Sequence, residues 1–484
     1  MKKYPKLFIN GAWVEPTAAG QRELINPTTE EAFATIASGG GIEDVNKAVS
    51  AARAAFEYYS KFSTVERFDL ITSIMAAYEE RQGDFAEAIA LEVGIPVSMK
   101  AQVQGPLGHM KVARDLLKTY HFETRIEDTI IRREAIGVCG LIAPWNWPIQ
   151  TPTIKSIYAL AAGCTIVLKP SDVSPTSAIL LAEVFEKAGV PKGVFNLVIG
   201  KGRVVGEAIC NHPDVDMISF TGSTQAGIKV GEAAARTVKR VSLELGGKSA
   251  NIVLQDADLE KAARWNIQRC FTNAGQSCHA PSRMLVHESQ MESVIPFLID
   301  EVSKFHFGDP LDPTTTMGPI ANPSQFESIQ RYIQIGIDEG ARMICGGIGR
   351  PEGFNRGFYT KPTVFVGVTP DMTIAREEIF GPVLAVMPYA NEDQALEIAN
   401  GLSFGLGGYV FSNDRKKGYK FASGLRAGRI SFNGAATNSV SPMGGYRQSG
   451  IGREMGVFGL EEYLEIKSVY GFEAEADELP SMHC

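Results

Sequence analysis

A cysteine within a run of small and amide side chains is the feature of this sequence with the clearest chemical potential. Cys278 follows Asn273, Gly275, Gln276 and Ser277 in the stretch FTNAGQSCHAPSR. A thiolate is a strong nucleophile where electrostatics and access favour it, and a glycine-containing loop can provide both. Free cysteine is also among the most buried residue types, so a lone thiol is more often a core side chain. The role of Cys278 therefore depends on the groups that the fold brings to it.

A carboxylate at the end of a predicted strand is the second candidate. In VSLELGG (241–247) the alternation places Ser242 and Glu244 on the face opposite the apolar residues. A carboxylate just before two glycines can reach into a cleft, and desolvation would raise its pKa towards that of a general base. The alternative is a solvated strand end, because most Glu side chains are exposed.

The elements that would position these residues follow from the pattern between residues 137 and 247. Apolar strands alternate there with helices, which predicts a parallel sheet covered by helices on both faces. Ligands of such sheets bind beyond the carboxyl ends of the strands. Those ends carry side chains and glycines suited to hydrogen bonds and phosphates: Asn146, Lys169, Asp172, Gly200, Gly202, Ser223 and Glu244. A second α/β unit is predicted after Cys278. The earlier helices, one of them with a capping box at Ser63 and Glu66, show no evident chemistry.

Three of these strand ends suit a dinucleotide. Lys169 and Asp172 could hold the hydroxyls of a ribose, or could form a surface salt bridge of little stabilising effect. The glycines of GKGRVVG (200–206) depart by one residue from G-x-G-x-x-G, so an ordinary strand–helix turn explains them as well. TGS (221–223) offers donors to a phosphate, although Ser commonly serves as a plain helix cap.

Composition sets the limits of the search. The 484 residues predict about two to four domains, and a net charge of −8 without a basic run argues against nucleic acid. We expect neither a secretory signal nor a membrane span, because prolines and Lys155 interrupt the most apolar region. The seven Cys form no C-x-x-C, and the seven His show no ligand spacing. A reducing, cytoplasmic setting without a metal site is therefore predicted.

Taken together, the motifs resemble the NAD(P)-dependent aldehyde dehydrogenase superfamily, in its non-acylating, hydrolytic form. They occur in the family's order over most of the chain: PWNWP (144–148), KPSD (169–172), FTGS (220–223), LELGGK (243–248), GQSC (275–278), EEIFGP (377–382) and PMGGYRQSGIGRE (442–454). Each motif alone is modest evidence, but seven in register make coincidence untenable. The GKGRVVG turn, weak by itself, matches the family's atypical dinucleotide site.

The resemblance implies a catalytic role for four residues. Cys278 would attack the aldehyde, and Glu244 would activate the water that hydrolyses the resulting thioester. The amide of Asn146 and the backbone N–H of Cys278 would stabilise the oxyanion, and Lys155 would assist proton transfer. No metal is required by this chemistry.

The resemblance also implies a cofactor site. Lys169 and Asp172 would hold the adenosine ribose, the Trp145 segment and Ser223 the pyrophosphate region, and Glu378 and Phe380 the nicotinamide end. The remaining members of the implied site are Gly202, Gly206, Phe220, Gly222, Leu245 and Gly246. Family members that prefer NAD usually carry Glu where this chain has Asp172. The shorter carboxylate should still bind a diol and repel a 2′-phosphate, so NAD is favoured and NADP stays open.

The implied substrate pocket comprises Trp147, Thr151, Ile154, Ser277, His279 and Met443. Several relatives that oxidise small aliphatic aldehydes carry aromatic rings where this chain has Thr151, Ile154 and Met443. A roomier and more polar tunnel is therefore expected, which suits an aromatic or functionalised aldehyde.

The resemblance implies an aldehyde dehydrogenase-like α/β fold, with two doubly wound parallel-sheet domains and a small β extension for oligomerisation. We expect a dinucleotide-binding domain from 1–123 and 138–245, with 449–465 packed on it, and a catalytic domain from 246–448. The arm would comprise 124–137 and 466–484. The charge-rich stretch 124–135 could be an extended ribbon or a solvated hairpin. The resemblance pairs it with residues 464–470 across a subunit boundary, which implies a homodimer or homotetramer.

Three rival functions remain. A CoA-acylating semialdehyde dehydrogenase would use the same fold and cysteine but lack the base, so Glu244 argues against it. A thiol hydrolase would want a histidine near Cys278, and His279 is its neighbour in sequence. A non-catalytic binding or structural protein would have no need to combine Cys278, Glu244 and Asn146.

Overall fold

Two large sheets flanked by helices form the body of the protein. This computed structural model describes residues 1–472 and 478–481, so the predicted arm segment 466–484 lies partly outside the described residues. The strands are β1 (Lys2–Tyr4), β2 (Leu7–Ile9), β3 (Ala12–Val14), β4 (Gln21–Ile25), β5 (Ala32–Ala37), β6 (Glu123–Ile126), β7 (Thr129–Ala135), β8 (Val138–Ile142), β9 (Thr165–Lys169), β10 (Phe195–Leu197), β11 (Met217–Thr221), β12 (Arg240–Glu244), β13 (Ala250–Val253), β14 (Arg283–His287), β15 (Arg342–Cys345), β16 (Thr363–Val366), β17 (Val383–Tyr389), β18 (Gly407–Phe411), β19 (Arg429–Phe432), β20 (Gly450–Ile451) and β21 (Leu464–Val469).

Helices connect most of these strands. They are α1 (Ile42–Tyr59), α2 (Thr64–Glu79), α3 (Gln82–Val93), α4 (Ala101–Thr119), α5 (Gln150–Ala162), α6 (Thr176–Lys187), α7 (Glu207–Asn211), α8 (Thr224–Ala235), α9 (Leu259–Phe271), α10 (Met291–Val302), α11 (Pro323–Asp338), α12 (Thr373–Arg376), α13 (Glu392–Asn400), α14 (Arg415–Gly424) and α15 (Gly456–Glu461). The predicted capping box starts α2: Ser63 Oγ accepts from the Glu66 N–H at 3.2 Å, and Glu66 Oε2 accepts from the Ser63 N–H at 2.7 Å.

The first large sheet has the strand order β20-β12-β11-β8-β9-β10-β2-β3. Its five central strands are parallel, and β8 and β9 are buried along their whole length, as expected where helices cover both faces. At the edges, β2 is antiparallel to β10, β3 is antiparallel to β2, and β20 is antiparallel to β12. The strand order reverses between β8 and β11, which is where a doubly wound sheet opens a crevice beyond its carboxyl ends.

The second large sheet has the order β15-β16-β17-β14-β13-β18-β19 and is parallel except for β15. A separate hydrophobic cluster surrounds each large sheet. The expected α/β architecture is confirmed, with antiparallel strands added at the edges. The domain boundaries given above stay a prediction.

The predicted arm contains a three-stranded antiparallel sheet of order β21-β7-β6. Leu464 pairs with Ala135 and Val469 with Ile130 within one chain, so the expected pairing of these segments across a subunit boundary is wrong. The backbone explains the difference: the Ile136 N–H donates to the Tyr463 carbonyl at 3.0 Å, which leads β21 onto β7 of its own chain. The stretch 124–135 is therefore a hairpin covered by a third strand, and oligomerisation through the arm stays a prediction.

Candidate active site

The site lies between the facing edges of the two large sheets. Strand β12 of the first sheet ends at Glu244, and the chain enters strand β13 of the second sheet six residues later, at Ala250. This short connection brings the carboxyl ends of the first sheet opposite the amino ends of the second. The loops after β8 and β11 enter the gap from one side, and the loop before β14, which contains Cys278, enters it from the other.

A cavity of about 620 Å³ fills this gap. Most of the residues singled out in the sequence line it: Trp145, Asn146, Trp147, Thr151, Ile154, Gly222, Ser223, Glu244, Leu245, Gly246, Cys278, His279, Glu378, Phe380 and Met443. Helix α4 also contributes to the wall, through Ala101, Gly105 and His109. The three groups expected to meet around one carbonyl therefore share a single cavity.

The loop before Cys278 has an unusual backbone. Asn273, Ala274 and Gly275 have φ values of 56°, 50° and 73°, three consecutive residues in the left-handed region. Such conformations persist where surrounding contacts impose them, and they concentrate at functional sites. Here the Asn273 Nδ2 donates to the carbonyls of Asn146 and Gln276 at 2.9 and 3.2 Å. The loop is thus tied to the strand-end segment that it faces.

Gly275 has no room for a side chain. A Cβ at this position would lie 2.2 Å from the carbonyl carbon and oxygen of Gly381, which are backbone atoms that cannot rotate away. We expect Gly275→Ala to destabilise the fold by about 2–5 kcal/mol, because steric overlap adds to the left-handed backbone. The measurement is the thermal unfolding temperature, which should fall by several degrees.

Gly231→Ala is the matched control. Gly231 lies within α8, and a Cβ there would meet nothing within 4 Å. Alanine favours a helix over glycine by about 0.5–1 kcal/mol, so this variant should unfold at the same or a slightly higher temperature. Equal unfolding temperatures for Gly275→Ala and the unmodified protein would contradict the steric argument.

Cys278 is held as a neutral thiol. Burial raises its pKa to about 12, with the negative charges of Glu378 and Glu244 acting in the same direction. The backbone N–H of Cys278 itself opposes that rise, so this donor lies beside the sulfur. An amide aimed at the nucleophile is also placed to stabilise an oxyanion formed there.

Glu244 is buried, and neither of its carboxylate oxygens has a hydrogen-bond partner among the described residues. Burial, with a contribution from Glu454, raises its pKa well above the usual value, while Lys155 acts in the opposite direction. A Cβ on Gly444 would come within 2.8 Å of Glu244 Oε1, so the absence of a side chain at 444 leaves room for the carboxyl group. A raised pKa together with unsatisfied oxygens is typical of a poised acid or base.

Lys155 lies behind the cavity wall. Its Nζ donates to Glu454 Oε1 at 2.7 Å and to Ser219 Oγ at 2.8 Å, and the side chain is fully buried. Glu454 does line the cavity. Any contribution of Lys155 to proton transfer would therefore pass through Glu454.

The amide of Asn146 is oriented towards the cysteine loop. Its Nδ2 donates to the Gln276 carbonyl at 3.0 Å, two residues before Cys278. Gln276 is fixed in turn, because its Oε1 accepts from the Ala321 N–H at 2.9 Å. The amide and the Cys278 N–H can therefore serve as two donors to one oxygen atom.

Glu378 and Phe380 line the cavity next to Gly246 and Trp145. Glu378 Oε1 accepts from the Gly247 N–H at 3.0 Å, and burial raises the pKa of Glu378 to about 7. A Cβ on Gly246 would come within 2.1 Å of Glu378 Oε2, so a side chain there would displace the Glu378 carboxylate. Phe380 has a φ of 57° and packs edge-on against Trp145 at 5.4 Å between ring centroids.

The proposed adenosine contacts form a separate group next to this cavity. Lys169 Nζ lies 3.3 Å from Asp172 Oδ1, and the Asp172 carbonyl accepts from Arg22. A Cβ on Gly206 would be 3.8 Å from Lys169, so the turn Gly202–Gly206 passes beside the lysine. Phe220 lies against Gly222, and Ser223 caps α8 by accepting from the Ala226 N–H at 3.3 Å.

The substrate end of the cavity is partly aromatic. The rings of Trp147 and His279 stack at 6.3 Å between centroids with an interplanar angle of 27°. Thr151, Ile154 and Met443 line the cavity as expected, but Ser277 does not. The Ser277 side chain is buried outside the cavity wall, although the next two residues line the cavity.

Two arginines in the wall were not identified from the sequence. Arg269 comes from the last turn of α9 and Arg429 from the first position of β19, and both line the cavity beside Cys278 and His279. Neither belongs to a motif, so sequence reasoning offered no signal for them. Their position follows from the packing of α9 and β19 at the amino edge of the second sheet.

A sequence model of the family described as "Aldehyde dehydrogenase family" matches residues 13–469. The chain belongs to the aldehyde dehydrogenase family. A 3-succinoylsemialdehyde-pyridine dehydrogenase from Pseudomonas sp. is 48% identical over 476 residues, which cover 98% of this chain and 100% of that protein. The similarity thus extends over both sheets and all the motifs of the site.

Solved structures of the family share the same architecture. A variant of aldehyde dehydrogenase C from Pseudomonas syringae, in complex with NAD⁺ and octanal, is 48% identical, covers 96% of each chain and superposes with a TM-score of 0.95. A Mycobacterium tuberculosis aldehyde dehydrogenase with NAD⁺ is 39% identical, with coverage of 97% of this chain and 98% of that chain and a TM-score of 0.93. Within residues 1–472 and 478–481, no helix is long and apolar enough to cross a membrane.

Proposed function

We propose that this protein oxidises an aldehyde to the carboxylic acid with NAD as the cofactor. The observation that carries the proposal is the convergence of Cys278, Glu244 and Asn146 on one cavity of about 620 Å³. A nucleophile, a base of raised pKa and an amide donor are the groups that acyl transfer through a thioester requires. Family membership supports the same reaction class.

In the proposed mechanism the Cys278 sulfur attacks the aldehyde carbon. The thiol proton must leave first, and Glu244 is the nearby carboxylate free of other partners. The resulting oxyanion would accept hydrogen bonds from Asn146 Nδ2 and the Cys278 N–H. After oxidation the acyl group remains on sulfur as a thioester. Glu244 releases the thiol proton to solvent and then takes a proton from water. The hydroxide adds to the thioester, and the acid leaves as Glu244 returns that proton to the Cys278 sulfur.

The residues present fit NAD, which when bound supplies the acceptor for the hydride. Glycines at 206, 222 and 246 keep the proposed site open, and a Cβ at 246 would overlap Glu378. Lys169 with Asp172 would hold the adenosine ribose, Ser223 and Trp145 would lie at the pyrophosphate, and Glu378 with Phe380 at the nicotinamide end. The NAD⁺ complexes of the related enzymes support this assignment.

The carboxylate of Asp172 should select against NADP. Its side chain is 37% exposed and would carry a negative charge next to any 2′-phosphate. We expect Asp172→Asn to raise the ratio of kcat/KM for NADP to that for NAD by about fivefold to tenfold, because removing a partly screened repulsion is worth about 1 kcal/mol. The two kcat/KM values are measured by absorbance of the reduced cofactor.

Asp371→Asn serves as the control for that variant, because the Asp371 side chain is 98% exposed and outside both proposed sites. It should leave the cofactor ratio unchanged. An unchanged ratio in Asp172→Asn as well would remove Asp172 from cofactor discrimination.

We further propose an aromatic or functionalised aldehyde as the substrate. Thr151, Ile154 and Met443 leave the cavity wide, and the stacked Trp147 and His279 offer a flat surface. The related Pseudomonas enzyme is named for a pyridine semialdehyde, which agrees with this class, whereas the P. syringae structure contains the aliphatic octanal. Turnover confined to short straight-chain aldehydes would refute the proposal.

The rival thiol hydrolase is disfavoured by the tautomer of His279. Arg269 Nη2 lies 2.7 Å from His279 Nε2, and a guanidinium only donates, so Nε2 accepts and the ring proton is on Nδ1. That Nδ1 is the atom 3.8 Å from Cys278 Sγ, so it cannot take the thiol proton. Burial, with Arg269 and Arg429, also holds the pKa of His279 well below its usual value. The imidazolium of a Cys–His pair would be unstable here.

The decisive assay follows the absorbance of the reduced cofactor, with about 1 mM of each cofactor, which suffices for typical KM values. Aliphatic, aromatic, amino- and carboxy-aldehydes are tested with NAD and with NADP, with and without CoA. Acid formation without CoA supports the proposal. A strict requirement for CoA would favour the acylating alternative, and absence of cofactor reduction with every aldehyde would overturn the proposed function.

The oligomer and the compartment also belong to this proposal. We infer a homodimer or homotetramer assembled through the three-stranded arm, and a cytoplasmic setting in which Cys278 stays reduced. The six cysteines of the described residues are all free, which supports a reducing compartment. Sedimentation of the purified protein would measure the oligomeric state.

A further inference from the structure

Two guanidinium groups face the substrate end of the cavity. Arg269 and Arg429 line both the main cavity and a contiguous one of about 480 Å³, and His279 and Met443 are also shared between the two. The proposed reaction at Cys278 makes no use of either arginine. Their presence beside the sulfur therefore requires a separate explanation.

Neither arginine is neutralised by the protein. Within residues 1–472 and 478–481, the Arg429 side chain makes no hydrogen bond or ion pair, although burial lowers its pKa. Arg269 contacts the neutral His279 at 2.7 Å and interacts with the Tyr409 hydroxyl, and it meets no carboxylate in the described part of the chain. Both side chains are half-buried, and a cation that has lost part of its hydration is stabilised by a counterion or a bound anion.

The other ionisable groups of the cavity do not offset these charges. Burial raises the pKa of Glu244 well above its usual value, which favours its neutral form, and Glu454 is paired with Lys155. Glu378 acts on the Cys278 thiol, but it accepts from the Gly247 N–H rather than from either arginine, and burial raises its pKa to about 7. Burial lowers the pKa of His109 to about 4, with Arg429 adding to the effect, so this histidine is neutral. The substrate end is left with a net positive charge.

We propose that the aldehyde substrate carries a carboxylate at the end remote from its carbonyl, bound by Arg429 and Arg269. This inference rests on the proposed function. A guanidinium binds a carboxylate through two parallel hydrogen bonds, and it keeps its charge when it is partly buried. The substrate is then the semialdehyde of a dicarboxylic acid or a formyl-substituted aromatic acid.

The geometry indicates a short separation between the two ends of that substrate. His279 Nδ1 lies 3.8 Å from Cys278 Sγ, and its Nε2 lies 2.7 Å from Arg269. One imidazole ring therefore separates the sulfur from the nearer guanidinium. A chain of a few carbons or a single benzene ring spans such a distance, and the face of Trp147 stacked on His279 can support a ring.

The test compares matched pairs of aldehydes that differ only in charge. For the unmodified protein, kcat/KM for 4-formylbenzoate should exceed that for its methyl ester, and succinic semialdehyde should exceed butanal, each by about tenfold to hundredfold. Arg429→Gln should reduce these ratios by about tenfold, mainly by lowering turnover of the acids. Arg415→Gln, which alters an exposed residue of α14 outside both cavities, should leave them unchanged.

A second readout is independent of turnover. Alkylation of Cys278 is followed by peptide mass spectrometry with anionic iodoacetate and neutral iodoacetamide. Two unpaired cations should favour iodoacetate, and Arg429→Gln should lower the iodoacetate-to-iodoacetamide rate ratio by severalfold. Equal preference for acid and neutral aldehydes together with an unchanged alkylation ratio would overturn the carboxylate proposal. Failure to oxidise any aldehyde would instead overturn the proposed function.

Discussion

Replacement of Cys278 by alanine should lower aldehyde oxidation by about 10⁴-fold or more. Without sulfur no covalent adduct forms. Catalytic residues that act together lose nearly all of their joint rate enhancement when the nucleophile is removed. The change leaves Cβ in place and introduces no clash, so the loop held by Asn273 and Gly275 should keep its conformation. The measurement is the steady-state rate of cofactor reduction with a saturating aldehyde.

Two comparisons separate loss of chemistry from loss of structure. Binding of NAD by Cys278→Ala, followed by quenching of protein fluorescence, should remain close to that of the unmodified enzyme. Cys345→Ala changes a partly buried thiol of β15 that does not line the cavity, and it should retain its activity. Full NAD-linked activity in Cys278→Ala would show that the nucleophile has been assigned to the wrong residue.

Replacement of Glu244 by glutamine should uncouple the two halves of the reaction. The carboxamide has the shape of the carboxyl group and fits the space beside Gly444, but it cannot take a proton from water. Removal of a general base typically costs about 10²–10⁴ in rate. If the thiol can lose its proton to solvent, cofactor reduction should occur once per site and then stall at the thioester.

The experiment is rapid mixing with excess aldehyde and cofactor. Glu244→Gln should give a burst of reduced cofactor followed by a rate about 10²–10⁴ times lower than that of the unmodified enzyme. Glu397→Gln, on the exposed face of α13, is the matched control and should turn over normally. Steady turnover of Glu244→Gln at the original rate would remove this residue from the deacylation step.

The same assignment predicts the direction of the pH dependence. Because the pKa of Glu244 is raised, its basic form is scarce at low pH and becomes populated as the pH rises through that value. The deacylation rate of the unmodified enzyme should therefore increase with pH. The slow rate of Glu244→Gln should not show this increase with pH, because the glutamine side chain does not titrate.

Local structure was largely predictable from neighbouring residues. Ser63 and Glu66 form the capping box at the start of α2, and the apolar runs at 138–142 and 165–168 lie in buried parallel strands. These elements depend on short-range hydrogen bonds and on a repeating burial pattern, both of which are encoded within a few residues. The pairing of β21 with β7 was assigned to the wrong chain, because strand pairing depends on the path of the backbone between distant segments.

The sequence by itself determined the α/β class, the family and the candidate chemistry of Cys278, Glu244 and Asn146. These follow from motifs whose residue types are tied to one reaction. Only the tertiary structure decided which groups meet at the cavity: it brought Arg269 and Arg429 beside the sulfur, moved Ser277 out of the wall and put Lys155 behind Glu454. Burial and unpaired charge arise where two sheets face each other, and no local pattern along the chain records that arrangement.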